Sequence, residues 1–101
     1  MSAAFNDTIH QSIRLKLMAA LDAEPSGTAL DFARLKAIAE ATDGNLGAHL
    51  NTLDAAGFVT ITKEPVGKRT RTLVAINPAG RAAFRSHIAY LQELVDSVGN
   101  R

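Results

Sequence analysis

The sequence predicts a mainly helical α+β domain, with helices over residues 8–22, 32–41, 43–56 and 78–98 and a two-stranded hairpin over 58–76. Three observations carry this reading. Apolar residues recur at helical spacing in four segments. Between residues 58 and 76 the period drops to two, on either side of Pro65 and Gly67. Capping residues, Gly and Pro fall at the joins. A chain of 101 residues suits a single domain, 1–101, with one core.

Each element has its own warrant. Residues 1–7 are small and polar apart from Phe5, and are expected to fray. In the first helix Ile9, Ile13, Leu17, Ala20 and Leu21 form the apolar stripe, and Leu15 and Met18 widen it. Pro25 and Gly27 end that segment, and Thr28 to Leu30 offers a short third strand. Asp31 has the character of an N-cap, ahead of an apolar face of Phe32, Leu35, Ile38 and Ala39. Thr42 caps the third helix, whose narrow seam is Leu46, Leu50 and Leu53 with His49 beside it. Gly57 stands where a left-handed C-terminal residue is wanted. In the hairpin Val59 and Ile61 oppose Thr60 and Thr62, and Val74 and Ile76 face inward, which leaves Leu73 on the outward side. Glu64 to Arg69 is read as the connection. Asn77-Pro78 is a cap followed by Pro at the first helical position. In the last helix Phe84, Ile88, Leu91, Val95 and Val98 are spaced 4, 3, 4, 3, which is a heptad seam.

Composition narrows the function classes. Hydrophobic residues are 47% and charged residues 21%, with a net charge of +1 and a pI of about 8.2. This is no uniformly basic coat, so distribution matters more than total. Lys63, Lys68, Arg69 and Arg71 cluster against the single Glu64. With no cysteine, disulfides, thiolate metal sites and cysteine nucleophiles are excluded. No apolar run approaches a membrane span and no signal-peptide pattern opens the chain, so no membrane association and a cytoplasmic location are expected. Ser12, Ser26, Ser86 and Ser97 lack a nucleophile elbow or a His–acid arrangement, so the chain is read as no enzyme, with no cofactor and no metal.

What remains is a helix with a small, polar outer face beside a cationic hairpin. Such a helix fits a major groove, and the hairpin can grip phosphate or enter the minor groove. The candidate DNA-reading residues are Thr42, Asn45, Gly47, Ala48, Asn51 and Thr52, with Lys63, Lys68, Arg69 and Arg71 in the hairpin. Asn suits adenine, and Ala or the Thr methyl suits a thymine methyl. No Arg or Lys lies on the third helix, so half-sites centred on A·T pairs are expected. Asp43 opposes phosphate but suits a helix N-terminus, and is read as structural. Arg14, Lys16, Arg34 and Lys36 are secondary candidates, each better read as surface charge. The thin, Ala-rich core and the heptad seam point to a second copy. Ile9, Ile13, Leu17, Phe84, Ile88, Leu91, Leu94, Val95 and Val98 are the candidate interface, against the alternative that the last helix merely covers its own core.

The order of elements is that of a winged helix-turn-helix. The stretch from Thr42 to Phe84 further resembles a small family of winged-helix transcriptional regulators related to the MarR-like and ArsR-like proteins. The matching motifs are Asp43-Gly44-Asn45-Leu46, His49-Leu50, Ala56-Gly57-Phe58-Val59, Gly67-Lys68-Arg69-Thr70-Arg71-Thr72 and Pro78-Ala79-Gly80-Arg81. Ile9 to Leu21 is similar to the family's opening helix. The resemblance implies a homodimer on operator double-stranded DNA, with the first and last helices at the interface. The chain departs from the family pattern at Ala39-Glu40-Ala41, where the family tends to carry Gly, and at Gly47, where it usually carries Ser. An interior Gly costs roughly 1 kcal/mol in a helix.

His49 is read as a structural side chain at the seam edge rather than a phosphate contact. His10 and His87 lie on the two expected dimer helices, but the chain lacks the His and carboxylate cluster a metal site between them needs. Two other functions stay open: a protein-docking module of the same fold, and a sensor of a small-molecule effector or a metal, whose pocket would lie at the dimer interface or come from a partner protein.

Overall fold

Asn6 opens the first helix by accepting a bond from the Ile9 amide at 3.0 Å, and α1 runs Asp7–His10. The expected single helix over 8–22 is broken at Gln11. That residue turns to an extended ψ of 133°, and its side chain accepts from the Arg14 amide to cap α2, Ser12–Asp22. A glutamine is a good helix former, so only its use as a cap explains the break. This computed structural model describes residues 3–99; the expectation of fraying for Met1 and Ser2 lies outside them. Residues 4 and 6, expected to fray, are held instead. The Ala4 amide donates to the Ser86 carbonyl, and the Asn6 amide to His87 Nδ1 at 3.0 Å.

The short strand β1, Leu30–Asp31, pairs antiparallel with β3 (Arg69–Ile76), and β3 pairs with β2 (Val59–Val66), giving the order β1-β3-β2. Leu73 therefore lies between Asp31 and Thr62 and is half-buried, which accounts for its place on the outward face. Asp31 ends β1 and caps α3, Phe32–Ala39, through the Arg34 amide at 2.8 Å.

Helix α3 ends two residues earlier than expected, because Glu40 adopts the left-handed conformation (φ 52°, ψ 44°). The Glu40 and Ala41 amides then turn back to the Ala37 and Lys36 carbonyls. Among the described residues Glu40 is the only non-glycine with positive φ. Left-handed geometry costs an L-residue about 1–2 kcal/mol. Glu40→Gly relieves that and gives back part of it through the freer unfolded chain. The expected net gain is about 0.5–1 kcal/mol, read as a melting temperature about 4 °C higher by calorimetry. An unchanged melting temperature would show that the turn carries no strain.

Helix α4 spans Asp43–Ala55 and α5 spans Pro78–Gly99. Between the helices and the sheet lies one apolar core, with Leu17, Met18 and Leu21 of α2, Leu35 and Ala39 of α3, the α4 seam, and Val59, Val74 and Ile76 of the sheet. Ile9, Leu17 and Phe84, expected on a dimer face, are 0%, 0% and 7% exposed and belong to this core instead. A helical apolar stripe reports burial, not whose core does the burying.

Two joints fix the ends of α5. At its start the Asn77 side chain donates to the Gly57 carbonyl at 2.8 Å and accepts from the Gly80 amide at 2.7 Å. One residue thus ties the end of α4, the root of the hairpin and the new helix. Further along, Arg81 donates to the Asp22 carbonyl at 2.7 Å, to its carboxylate at 3.1 Å and to the Glu24 carbonyl at 3.2 Å. These bonds satisfy carbonyls left open at the end of α2.

Candidate nucleic-acid interface

Thr42 is extended (ψ 162°) and its hydroxyl accepts from the Asn45 amide at 3.2 Å, so it serves α4 as a cap. Leu46, Leu50 and Leu53 are buried, which turns the opposite side of the helix outward. There Asn45, Ala48, Asn51 and Thr52 are exposed and Gly47 is half-exposed. The Thr52 hydroxyl donates to the Ala48 carbonyl at 3.1 Å, which leaves its methyl as the group it has to offer. A Cβ at Gly47 would meet nothing within 4 Å, so the fold itself does not require glycine there. Asp43 pairs with Lys36 at 2.7 Å across the turn between α3 and α4, which takes both charges into helix positioning.

The hairpin is longer and its turn tighter than expected. Pairing continues through Glu64↔Arg71 and Pro65↔Thr70 to Val66↔Arg69, so the connection is Gly67-Lys68 alone and not the stretch from Glu64 to Arg69. Gly67 has φ +63°, as the first position of a two-residue turn with Gly leading demands. Alternation along these strands sorts the cations. Arg69 and Arg71 share one face with Leu73, Lys63 lies on the face continuous with Val59 and Ile61, and Lys68 is in the turn. All four are exposed. Arg71 also binds Glu64 directly across the ladder at 2.7 Å, so that cation is partly neutralised.

Two histidine contacts were invisible at the level of spacing. His49 is half-buried, and Arg14 reaches its Nδ1 at 3.0 Å while also donating through Nε to the Thr8 carbonyl. Arg14 is therefore no plain surface charge. Burial first, and the Arg14 charge second, hold the His49 pKa below the ordinary histidine value. His87 is fully buried and accepts the Asn6 amide on Nδ1, so its proton sits on Nε2 and donates to His10 Nδ1 at 3.2 Å. The Phe5 ring lies 4.8 Å from His10, 5.2 Å from His87 and 5.6 Å from Tyr90 between centroids. This cluster pins the N-terminal segment to α5. Burial, then His10, lowers the His87 pKa.

On α5 the apolar side chains past the core are open: Ile88, Leu94, Val95 and Val98 are exposed, and Leu91 is half-buried, as is Ile13 on α2. No helix among the described residues is long and apolar enough to cross a membrane.

A three-stranded sheet whose long hairpin stands beside an outward polar helix is the geometry of a winged helix. Residues 13–95 match the winged helix DNA-binding domain family. The chain belongs to that family. In this winged-helix protein the β2–β3 hairpin stands in the place of the wing, and α4 in the place that the fold gives to a recognition helix. It is 35% identical over 68 residues to an uncharacterised protein of Methanocaldococcus jannaschii, covering 67% of this chain and 74% of that one. Its fold matches a transcriptional regulator homologue from Pyrococcus horikoshii OT3, with a TM-score of 0.79, 24% identity and coverage of 90% of this chain and 87% of that chain. A MarR-family transcriptional regulator from Silicibacter pomeroyi matches with a TM-score of 0.64 and 24% identity, over 87% of this chain and 56% of that chain.

Proposed function

We propose that the chain is a homodimeric, sequence-specific transcriptional repressor. Its recognition helix reads the major groove through Asn45, Ala48, Asn51 and Thr52, and its wing grips phosphate or the minor groove through Lys63, Lys68, Arg69 and Arg71. The observation that carries this reading is a pair of exposed features: a small, polar helix face whose Asn45 and Asn51 side chains make no hydrogen bond among the described residues, and a wing ending in cations. Gly47 supports it, since an otherwise costly interior glycine with open space in front lowers the helix surface where a groove wall would approach. Helix α5 supports the dimer. Leu94, Val95 and Val98 are 50%, 62% and 69% exposed, and together with Ile88 and the half-buried Leu91 they form an apolar stripe left largely uncovered among the described residues. Two copies would set their recognition helices on half-sites about 34 Å apart, one helical turn of DNA.

The test is selection of genomic DNA fragments by the purified protein at two salt concentrations, with the mass of the free protein measured by sedimentation. A palindromic site with A·T-centred half-sites, bound by a dimer, is the expected result. Equal, weak binding to every fragment would sink the sequence-specific reading and favour a protein-docking role for the same surface.

A further inference from the structure

Arg14 sits where three helices meet. It belongs to α2, donates to the Thr8 carbonyl of α1, and reaches His49 of α4 at 3.0 Å. A guanidinium carries only donors and keeps its charge at any pH of interest. His49 Nδ1 must therefore be the lone-pair nitrogen, which makes the ring neutral with its proton on Nε2. His49 lies beside the buried leucine seam, one helical turn from Asn45 and Thr52 on the outward side of the same helix. The contact thus bears on the one property that matters for reading bases, the rotation of α4 about its own axis.

We infer that Arg14 is a positioning residue for the recognition helix: through neutral His49 it holds the rotation at which Asn45, Ala48, Asn51 and Thr52 are presented, so that DNA binding is lost when His49 takes up a proton. The inference rests on the DNA-reading assignment made above. A proton on Nδ1 removes the lone pair and sets a second cation against the guanidinium, so an attraction becomes a repulsion. The charge in contact with that cation is a like charge, Arg14. From α2 the facing charge is Arg14 itself, and α1 brings Asp7 and His10. From α3 come Arg34 and the Lys36 already paired to Asp43, and the root of β2 offers only Val59, Thr60 and Ile61. No ion pair reaches the ring among the described residues. Burial and Arg14 depress its pKa. The ring therefore takes up its proton only as pH falls through a value below the ordinary histidine one.

The sign of the effect separates this from general electrostatics. Extra positive charge near DNA ordinarily strengthens binding, so acidification should raise affinity. Here affinity should fall once the pH drops through the lowered His49 value, by up to about tenfold per pH unit for each copy bound. The experiment is DNA affinity from pH 8 to pH 5 at constant ionic strength, for the wild type, His49→Gln, Arg14→Met and His87→Gln. His49→Gln keeps an acceptor for Arg14 and does not titrate, so it should bind normally at pH 8 and lose the acid decline. Arg14→Met keeps the stem without the donors and should bind roughly tenfold more weakly at pH 8. His87→Gln, which removes the other buried ring, should keep the decline. Nitrogen NMR of the His49 ring in the free protein gives a reading that needs no DNA, and the Nε2–H tautomer is expected in the wild type. A decline that persists in His49→Gln or vanishes in His87→Gln, an affinity that rises on acidification, or an Nδ1–H tautomer would each overturn the inference. Absence of DNA binding at every pH, with the Nε2–H tautomer present, would instead overturn the DNA-reading assignment.

Discussion

Replacing Lys68, Arg69 and Arg71 together by alanine is expected to weaken DNA binding more than about a hundredfold at physiological salt, and to flatten its salt dependence. With a net charge of only +1 the protein as a whole has little attraction for DNA, so the affinity must come from where the cations are. The recognition helix α4 has none, and the wing carries them at an exposed tip. Two wings contributing about six phosphate contacts give a salt slope near −5, so affinity falls by roughly a thousandfold between 50 and 200 mM salt. The triple variant should lose most of that slope, measured by fluorescence anisotropy across a salt series. Folding should be untouched, because exposed wing residues away from the core change stability by about 0.5 kcal/mol or less. Glu64 supplies an internal control of opposite sign. Its carboxylate holds Arg71 at 2.7 Å and itself repels phosphate, so Glu64→Gln should raise affinity a few-fold, on the order of 1 kcal/mol or less for an exposed pair. A triple variant that keeps its salt slope would move the phosphate grip elsewhere, to Lys63 of the same hairpin or to Lys16 and Arg34 near the helix-turn-helix.

The wing and the recognition helix were legible in the sequence because local chemistry specifies them. Thr42 caps the helix it precedes, period-two alternation names both strands, and Gly57 and Gly67 take the positive φ values of 82° and 63° that their places demand. What escaped has one of two physical causes. Some features depend on a residue acting against its propensity: Gln11 interrupts a helix by capping the next, and Glu40 takes a glycine's conformation at the turn. Others depend on contacts between distant residues. Arg14 and His49 are 35 positions apart, and His10 and His87 are 77 apart, so no spacing rule brings them together. The interface expectation failed for Ile9, Leu17 and Phe84 for a related reason, since α1, α2 and the first part of α5 bury these side chains in the chain's own core, and only the later turns of α5 leave it.

Gly80→Ala should be the most damaging single methyl in the molecule. Gly80 stands in the first turns of α5, where alanine would ordinarily stabilise a helix by about 1 kcal/mol. Here a Cβ would lie 2.0 Å from the Phe58 carbonyl oxygen and 2.8 Å from its carbon. Both atoms are backbone, so no rotamer change relieves the clash. Nor is Phe58 free to retreat. Its amide donates to the Leu53 carbonyl at 3.0 Å and its carbonyl accepts the Asn77 amide at 3.1 Å, so moving it disturbs the end of the recognition helix and the root of the wing together. Overpacking of a fixed site costs about 1–3 kcal/mol and more where backbone must shift, so a loss of about 3 kcal/mol or above is expected. For a domain of this size that is a fall in melting temperature of roughly 12–24 °C. Gly47→Ala, the same change on open helix surface, should instead raise the melting temperature by a few degrees, on the order of 1 kcal/mol. Thermal unfolding of the two variants side by side separates helix propensity from close approach. If Gly80→Ala melts with the wild type, α5 does not sit against Phe58, and the joint that orients the wing relative to the recognition helix is built some other way.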